Sequence, residues 1–197
     1  MIYRIFVEKK ENLQAKKTRA DLDAQLGIAV EDFREILRYD VEGLSQEELK
    51  EAIVNVFSEP PVDNVWLENM DCGEDYKVFA VSYLNGQYDQ RADSAAQCVQ
   101  LLTRKTRPLV RCARVYAVKG VTDAELARIK KHLINPVESE EVSLDKPETL
   151  RRAKMQTQDV KEIAGFIDMS VSDIADYHTK CGFAMSVEDL VFVRSRR

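Results

Sequence analysis

The sequence predicts an α+β fold in which a β-α-β-α-β unit occurs twice, followed by a short helical segment. Three observations predict it. Strand-like alternation and capped helices succeed one another in the same order in residues 1–70 and 75–147. Local sequence echoes link the two stretches at an offset that stays between 73 and 77 residues. After Pro147 the chain changes character, becoming polar and basic with little periodicity. Alternation and helical spacing report which face of an element is buried, and ordered self-similarity at one offset reports a repeated unit.

The first strand is Ile2 to Val7, with Tyr3, Ile5 and Val7 on one face and Ile2, Arg4 and Phe6 on the other. A helix from Leu13 to Leu26 ends at Gly27, the residue that best accepts a left-handed cap. Phe33 to Val41 alternates with period two and reads as a half-buried strand. Ser45 and Glu48 form a capping box for the next helix, which Pro60-Pro61 terminates before a short strand from Val62 to Leu67. Tyr76-Lys77-Val78-Phe79 then echoes Tyr3-Arg4-Ile5-Phe6, a helix covers about Asp93 to Thr103, and a strand covers Leu109 to Val118. Val41-Glu42-Gly43-Leu44-Ser45 is answered by Val118-Lys119-Gly120-Val121-Thr122, with Glu48-Leu49 answered by Glu125-Leu126. Pro61-Val62 with Val65 and Leu67 is answered by Pro136-Val137 with Val142 and Leu144. Each half therefore has the element order of a ferredoxin-like unit, and the two are expected to pair their sheets with helices on the outer faces.

Residues 148–197 read as a partial helical linker domain that packs on something else. Its opening stretch carries Glu148, Arg151, Arg152 and Lys154; helical signals follow at Asp159 to Ala164, Ser170 to Lys180 and Ser186 to Val193, the last two opened by Ser170-Asp173 and Ser186-Asp189 caps. The apolar triplet Val191-Phe192-Val193 just before the end suggests that the chain is part of a longer one.

Composition excludes several function classes. Of 197 residues 45% are hydrophobic and 32% charged, with a net charge of -5 and a pI near 5.3, so a nucleic-acid or anionic-membrane partner is not expected. Charges begin at Arg4, leaving no apolar stretch for a signal peptide, and no run approaches the ~18 apolar residues that span a bilayer. Cys72, Cys98, Cys112 and Cys181 are scattered and read as reduced, buried thiols, Cys98 packing beside Ala95 and Leu102. A soluble cytoplasmic protein is the expectation.

The polar stretch from Asn85 to Cys98 is where chemistry is most plausible. It offers Gln87, Gln90 and Arg91 as donors and Asp93 as an N-cap, at a helix start whose free N–H groups favour a phosphate or carboxylate. The same residues would also serve, as an Asp-capped helix start with flanking polar side chains, to tie down a tight loop. His132 and His178 lie far apart without partners at ligand spacing, so no metal is expected. No nucleophile elbow, triad or glycine-rich phosphate cradle is present, with only 7 glycines in the chain. Arg104, Lys105, Arg107, Arg111 and Arg114 form a basic cluster around the turn into the strand at Leu109, read as a solvated edge or an interface.

The run Gly86-Gln87-Tyr88-Asp89-Gln90-Arg91-Ala92-Asp93-Ser94-Ala95-Ala96-Gln97-Cys98 closely resembles a motif of the long-chain phosphoribosylformylglycinamidine synthases. The resemblance extends, in the family's order, to Phe57 through Asp63, Leu133 through Ser139, Lys146 through Leu150 and Gly165 through Asp168. It implies a duplicated N-terminal domain similar to the small structural subunit of the multi-chain enzyme, then the start of a linker domain. The family converts formylglycinamide ribonucleotide, ATP and glutamine into formylglycinamidine ribonucleotide, ADP, phosphate and glutamate. The resemblance further implies that ATP, magnesium and all catalytic residues belong to synthetase and glutaminase domains absent from this sequence. These domains would be its partners, and Gln87, Asp89, Gln90, Arg91, Asp93 and Ser94 would form an interdomain contact or the rim of the substrate site. A free-standing small-molecule sensor that binds an anion at the helix near Asp93 is the alternative.

Overall fold

The computed structural model of the protein describes residues 1–151 and 162–195. Chain contacts divide it into two compact units, Met1–Arg152 and Ala153–Arg197. The first unit is α+β: β1 (Ile2–Lys9), α1 (Leu13–Leu26), β2 (Asp32–Glu42), α2 (Gln46–Ala52) running on through a π-helical turn (Ile53–Phe57), β3 (Asp63–Leu67), β4 (Tyr76–Tyr83), α3 (Gln90–Thr103), β5 (Leu109–Lys119), α4 (Asp123–Leu133) and β6 (Ser139–Val142).

The helices start where side chains satisfy their first amides. Asn12 accepts from Ala15 N at 2.9 Å to open α1, and Gly27 closes it with φ 63°. Ser45 with Glu48 and Thr122 with Glu125 complete reciprocal capping boxes on α2 and α4. Gly120 has φ 80°, and a Cβ there would fall 2.6 Å from that of Glu31, so glycine is required on both counts.

All six strands form one antiparallel sheet in the order β3-β1-β2-β5-β4-β6. Its two outer trios, β3-β1-β2 and β6-β4-β5, have the same order read inward. They meet where β2 pairs β5 from Asp32↔Lys119 to Glu42↔Leu109, with Leu37 opposite Arg114 at the centre. Ile5 of β1 pairs Tyr39 of β2, and Phe79 of β4 pairs Tyr116 of β5.

Helices do not sit on two outer faces, as expected from the sequence; α1 to α4 all cover one face. Leu22 of α1 and Ile129 of α4 pack with Phe33, Phe79, Tyr116 and Val118. Leu49 and Ala52 of α2 pack with Val99 of α3 on Ile5, Val7, Tyr39 and Val41. Each helix layer thus joins the first helix of one trio to the second helix of the other. The opposite face carries Phe6, Ile36, Ala80, Val115 and Ala117, packed with Trp66, Met70, Cys72 and Val142; among the described residues of this unit none of α1 to α4 contributes to that cluster, and in that sense the face is helix-free.

On that helix-free face an ion pair is fully buried. Arg4 Nε donates to Asp40 Oδ1 at 2.6 Å and Nη2 to Oδ2 at 3.0 Å, with side chains 4% and 5% exposed. The remaining Arg4 donors reach the carbonyls of Leu144 and Asp145. Arg38 Nη1 donates to Ser143 O at 2.9 Å, while its Nε lies 3.5 Å from Asp40 Oδ2 without a hydrogen bond. Burial lowers the Arg38 pKa, and Asp40 opposes that fall. Three successive carbonyls after β6 are therefore held by two buried guanidinium groups. Further on, Leu150 is buried, its N–H donating to Glu42 and its carbonyl accepting from Arg111 at 2.7 Å.

The second unit contains a 3₁₀ turn (Phe166–Asp168), α5 (Val171–Cys181) and α6 (Val187–Ser195). Ser170 with Asp173 and Ser186 with Asp189 cap the two helices, Ile174 and Leu190 are buried, and Tyr177 packs on Phe183 with ring centroids 5.6 Å apart. Arg152, Lys154 and the first half of the expected helix from Asp159 to Ala164 lie outside the described residues; residues 162–164 are not helical. Among the described residues, no helix is long and apolar enough to cross a membrane.

Removing one partner of a buried pair leaves an uncompensated charge, so Arg4→Ala is expected to cost about 3–5 kcal/mol in urea unfolding. Lys146→Ala, which breaks the exposed pair with Glu68, is expected to cost under ~1 kcal/mol. Equal midpoints for the two variants would show that the Arg4–Asp40 pair does not anchor the fold.

Candidate functional site

Between the α1/α4 layer and the α2/α3 layer the helical face of the sheet stays open as a cavity of about 640 Å³. Its floor is the centre of the sheet: Leu37 and Tyr39 of β2, Cys112, Arg114 and Tyr116 of β5, Val81 and Tyr83 of β4. Val56 and α3 residues Ala95 and Cys98 form one side, and Leu133, Glu138 and Ser139 another. The floor side chains follow from the period of two, since Leu37 and Tyr39 face the same way as Arg114 and Tyr116 across the β2–β5 pairing.

Four of the six residues singled out in the sequence line this cavity: Asp89, Gln90, Arg91 and Ser94. The other two do not. Gln87 is exposed on the preceding turn, its amide 3.4 Å from Val137 O. Asp93 belongs to a surface cluster, accepting from Tyr88 Oη at 2.9 Å, Gln97 Nε2 at 2.8 Å and Arg107 Nη2 at 2.5 Å.

The helix also starts earlier than the sequence suggests. Asp89, not Asp93, is the N-cap, its Oδ1 accepting from Ala92 N at 2.9 Å, and α3 begins at Gln90. The capping carboxylate already occupies the amide-rich end, so the helix start near Asp93 is not an open anion site. The effect of starting four residues sooner is to set Arg91 and Ser94 on the turn of α3 that overlooks the sheet.

Two cations and a buried acid dominate the electrostatics. Arg91 Nη1 lies 3.5 Å from Tyr39 Oη, a contact that raises the Arg91 pKa despite partial burial. Arg114 Nε is 3.8 Å from Glu35 Oε1, beyond hydrogen-bond length. The Glu35 side chain is 11% exposed, and burial raises its pKa above the ordinary 4.5, with Arg114 and then Arg91 opposing the rise. Burial also raises Tyr39 and Tyr116, and it pushes the Cys112 thiol up to about 12. Cys112 is therefore a neutral thiol at physiological pH rather than a nucleophile.

The cysteines are not the buried set that composition suggests. Cys98 and Cys181 are exposed, Cys72 and Cys112 half-buried. Cys98 lies on the cavity wall because the face of α3 beside Ala95 overlooks open space rather than a packed layer. Nor do the five basic residues near Leu109 form one patch: Lys105 pairs with Glu48 at 2.6 Å, Arg107 with Asp93, Arg111 holds Leu150 O on the helix-free face, and Arg114 lies in the cavity.

No known protein family matches the chain, and no curated protein matches it.

Asp89→Ala is expected to destabilise the fold by about 1 kcal/mol through loss of the cap. Arg91→Ala, removing an exposed side chain with one long hydrogen bond, is expected to change stability by no more than ~0.5 kcal/mol in the same unfolding assay. The raised Glu35 pKa means that the unfolded chain releases this proton at lower pH than the folded one. Stability is therefore lost as pH rises from the unfolded pKa through the folded one. Glu35→Gln should accordingly raise the melting temperature at pH 7, with the advantage vanishing below about pH 4.

Proposed function

We propose that the chain is a non-catalytic structural and coupling module of a long-chain phosphoribosylformylglycinamidine synthase, built as two ferredoxin-like copies sharing one sheet. The observation that carries this reading is the lining of the cavity by Asp89, Gln90, Arg91 and Ser94, which belong to the motif by which the sequence resembles that family. The duplication is supported by the strand order and by caps at one spacing: Asn12 and Asp89 open α1 and α3, and Ser45 and Thr122 open α2 and α4, each 77 residues apart. The Leu37↔Arg114 pair is separated by the same 77 residues, as a twofold relation between halves requires at its axis.

In this reading the partners are the synthetase and glutaminase domains of the same cytoplasmic enzyme, ATP and magnesium are held by the synthetase domain, and this chain contributes no reacting group. Its Arg91 guanidinium contacts an acidic or phosphorylated group presented at the cavity mouth. Losing one charge-assisted bond there weakens the contact by ~1.5–3 kcal/mol, or about 10- to 100-fold. Joined to synthetase and glutaminase domains of a long-chain synthase, the chain is expected to support glutamine-dependent formation of formylglycinamidine ribonucleotide, and Arg91→Ala to lower that turnover at unchanged melting temperature. The chain alone is expected to release no glutamate from glutamine. Unimpaired turnover in a joined enzyme lacking residues 1–151, or glutamate release by the chain alone, would refute the reading.

A further inference from the structure

The cavity has the makings of a ligand site of its own, whatever larger protein the chain serves. Arg91, from the first turn of α3, and Arg114, from the centre of β5, both line it. They are near enough that Arg114 opposes the protonation of Arg91, so their positive charges add in one place. Two guanidinium groups carry about ten N–H donors. Against these stand one 3.5 Å hydrogen bond to Tyr39, an ion pair to Glu35 at 3.8 Å and the neighbouring Tyr116 hydroxyl. Arg4 is the contrast, with four hydrogen bonds to Asp40, Leu144 and Asp145. A planar, forked donor with spare N–H groups is suited to a carboxylate or phosphate.

The rest of the lining is not that of an inorganic-ion site. Tyr39, Tyr83 and Tyr116 supply ring surface, and Leu37, Val81 and Leu133 supply aliphatic surface, within a volume typical of small-molecule pockets. The site is also asymmetric in a telling way. The position that answers Arg114 across the sheet is Leu37, and the one that answers Arg91 at the 77-residue spacing is Gln14. Residues 75–147 bring both arginines; of the carboxylates that share the lining, Asp89 is engaged in capping α3 and Glu138 stands on the wall beside Leu133.

We propose that this cavity binds a small organic oxyanion, with its carboxylate or phosphate head on Arg91 and Arg114 and an apolar, flat body against the tyrosines and Leu37. Cys98 provides a reporter, because it is exposed and lines the cavity, while Cys181 is exposed in the other unit. The whole chain is alkylated with iodoacetamide, and modification of each cysteine is followed by peptide mass spectrometry in the presence of phenyl phosphate, benzoate, inorganic phosphate or phenol. Phenyl phosphate or benzoate is expected to slow alkylation of Cys98 saturably and leave Cys181 unaffected, the stronger of the two identifying the head group. Phenol, which lacks the charge, is expected to protect little. Arg91→Ala and Arg114→Leu should each raise the half-protecting concentration by ~10-fold or more. Arg91→Lys, which keeps the charge but not the fork, should fall between, and it serves if Arg114→Leu does not fold. Equal Cys98 alkylation with and without both aromatic anions at ~10 mM overturns the proposal. So does protection that survives Arg91→Ala unchanged, or inorganic phosphate protecting as well as phenyl phosphate does.

Discussion

β2 and β5 pair antiparallel from Asp32↔Lys119 to Glu42↔Leu109, and the arrangement of everything on both faces depends on that register. Side chains alternate with period two, so a slip of one residue would turn Phe33, Tyr39 and Val41 away from the helices and expose Arg38 and Asp40 to them. With the register as it is, the helical face receives the large apolar residues at both ends of the ladder and Leu37 opposite Arg114 in the middle. The two helix layers pack on the apolar ends. The middle, where a cation stands in place of an apolar residue, is left as a cavity.

The two faces handle buried charge differently, and the difference separates structure from site. On the helix-free face Arg4 and Asp40 make a two-pronged pair, and the other donors of Arg4 are met by carbonyls of the chain that follows β6. Low dielectric strengthens such a network when its groups are matched, and it fixes one path for residues 143–145. On the helical face Glu35 is buried at 3.8 Å from Arg114, close enough to feel it and too far to bond it. A carboxylate held in that way loses hydration without full replacement, which is why its proton is retained to higher pH. The matched Arg4–Asp40 pair anchors the fold, whereas Arg114, left without a hydrogen bond to Glu35, lines the cavity.

Part of this site was legible in the chain. The polar run from Asn85 to Cys98 stands out by composition, and Arg91 and Ser94 do lie at the cavity. The role of Asp93 was misread because Asp89 and Asp93 are both acceptable caps, and local sequence does not say which one the helix uses. The choice follows from the preceding turn, where Gln87 N bonds Leu84 O and Asp89 is left extended at φ -89°, ψ 92°. Arg114 was read as one of five basic residues near Leu109, although the period of two along β5 places it and Arg111 on opposite faces. What alternation does not reveal is that β5 crosses the sheet centre with its mid-point uncovered.

Sequence alone determined the elements, because caps, prolines, glycines and alternation act within a few residues of one another. Asn12, Ser45 and Thr122 start helices wherever the chain folds, and Gly27 stops one. Tertiary structure decided which elements share a layer. That α1 joins α4 and α2 joins α3, all on one face, depends on contacts between residues about a hundred positions apart, such as Arg128 with the carbonyl of Leu26. It also decided the register of each strand, Ile5 against Tyr39 and Phe79 against Tyr116, since register is settled by pairing across the whole sheet. The cavity is the product of that second kind of decision. No segment encodes it, because it is the space that two helix layers leave above a strand whose central residue is charged.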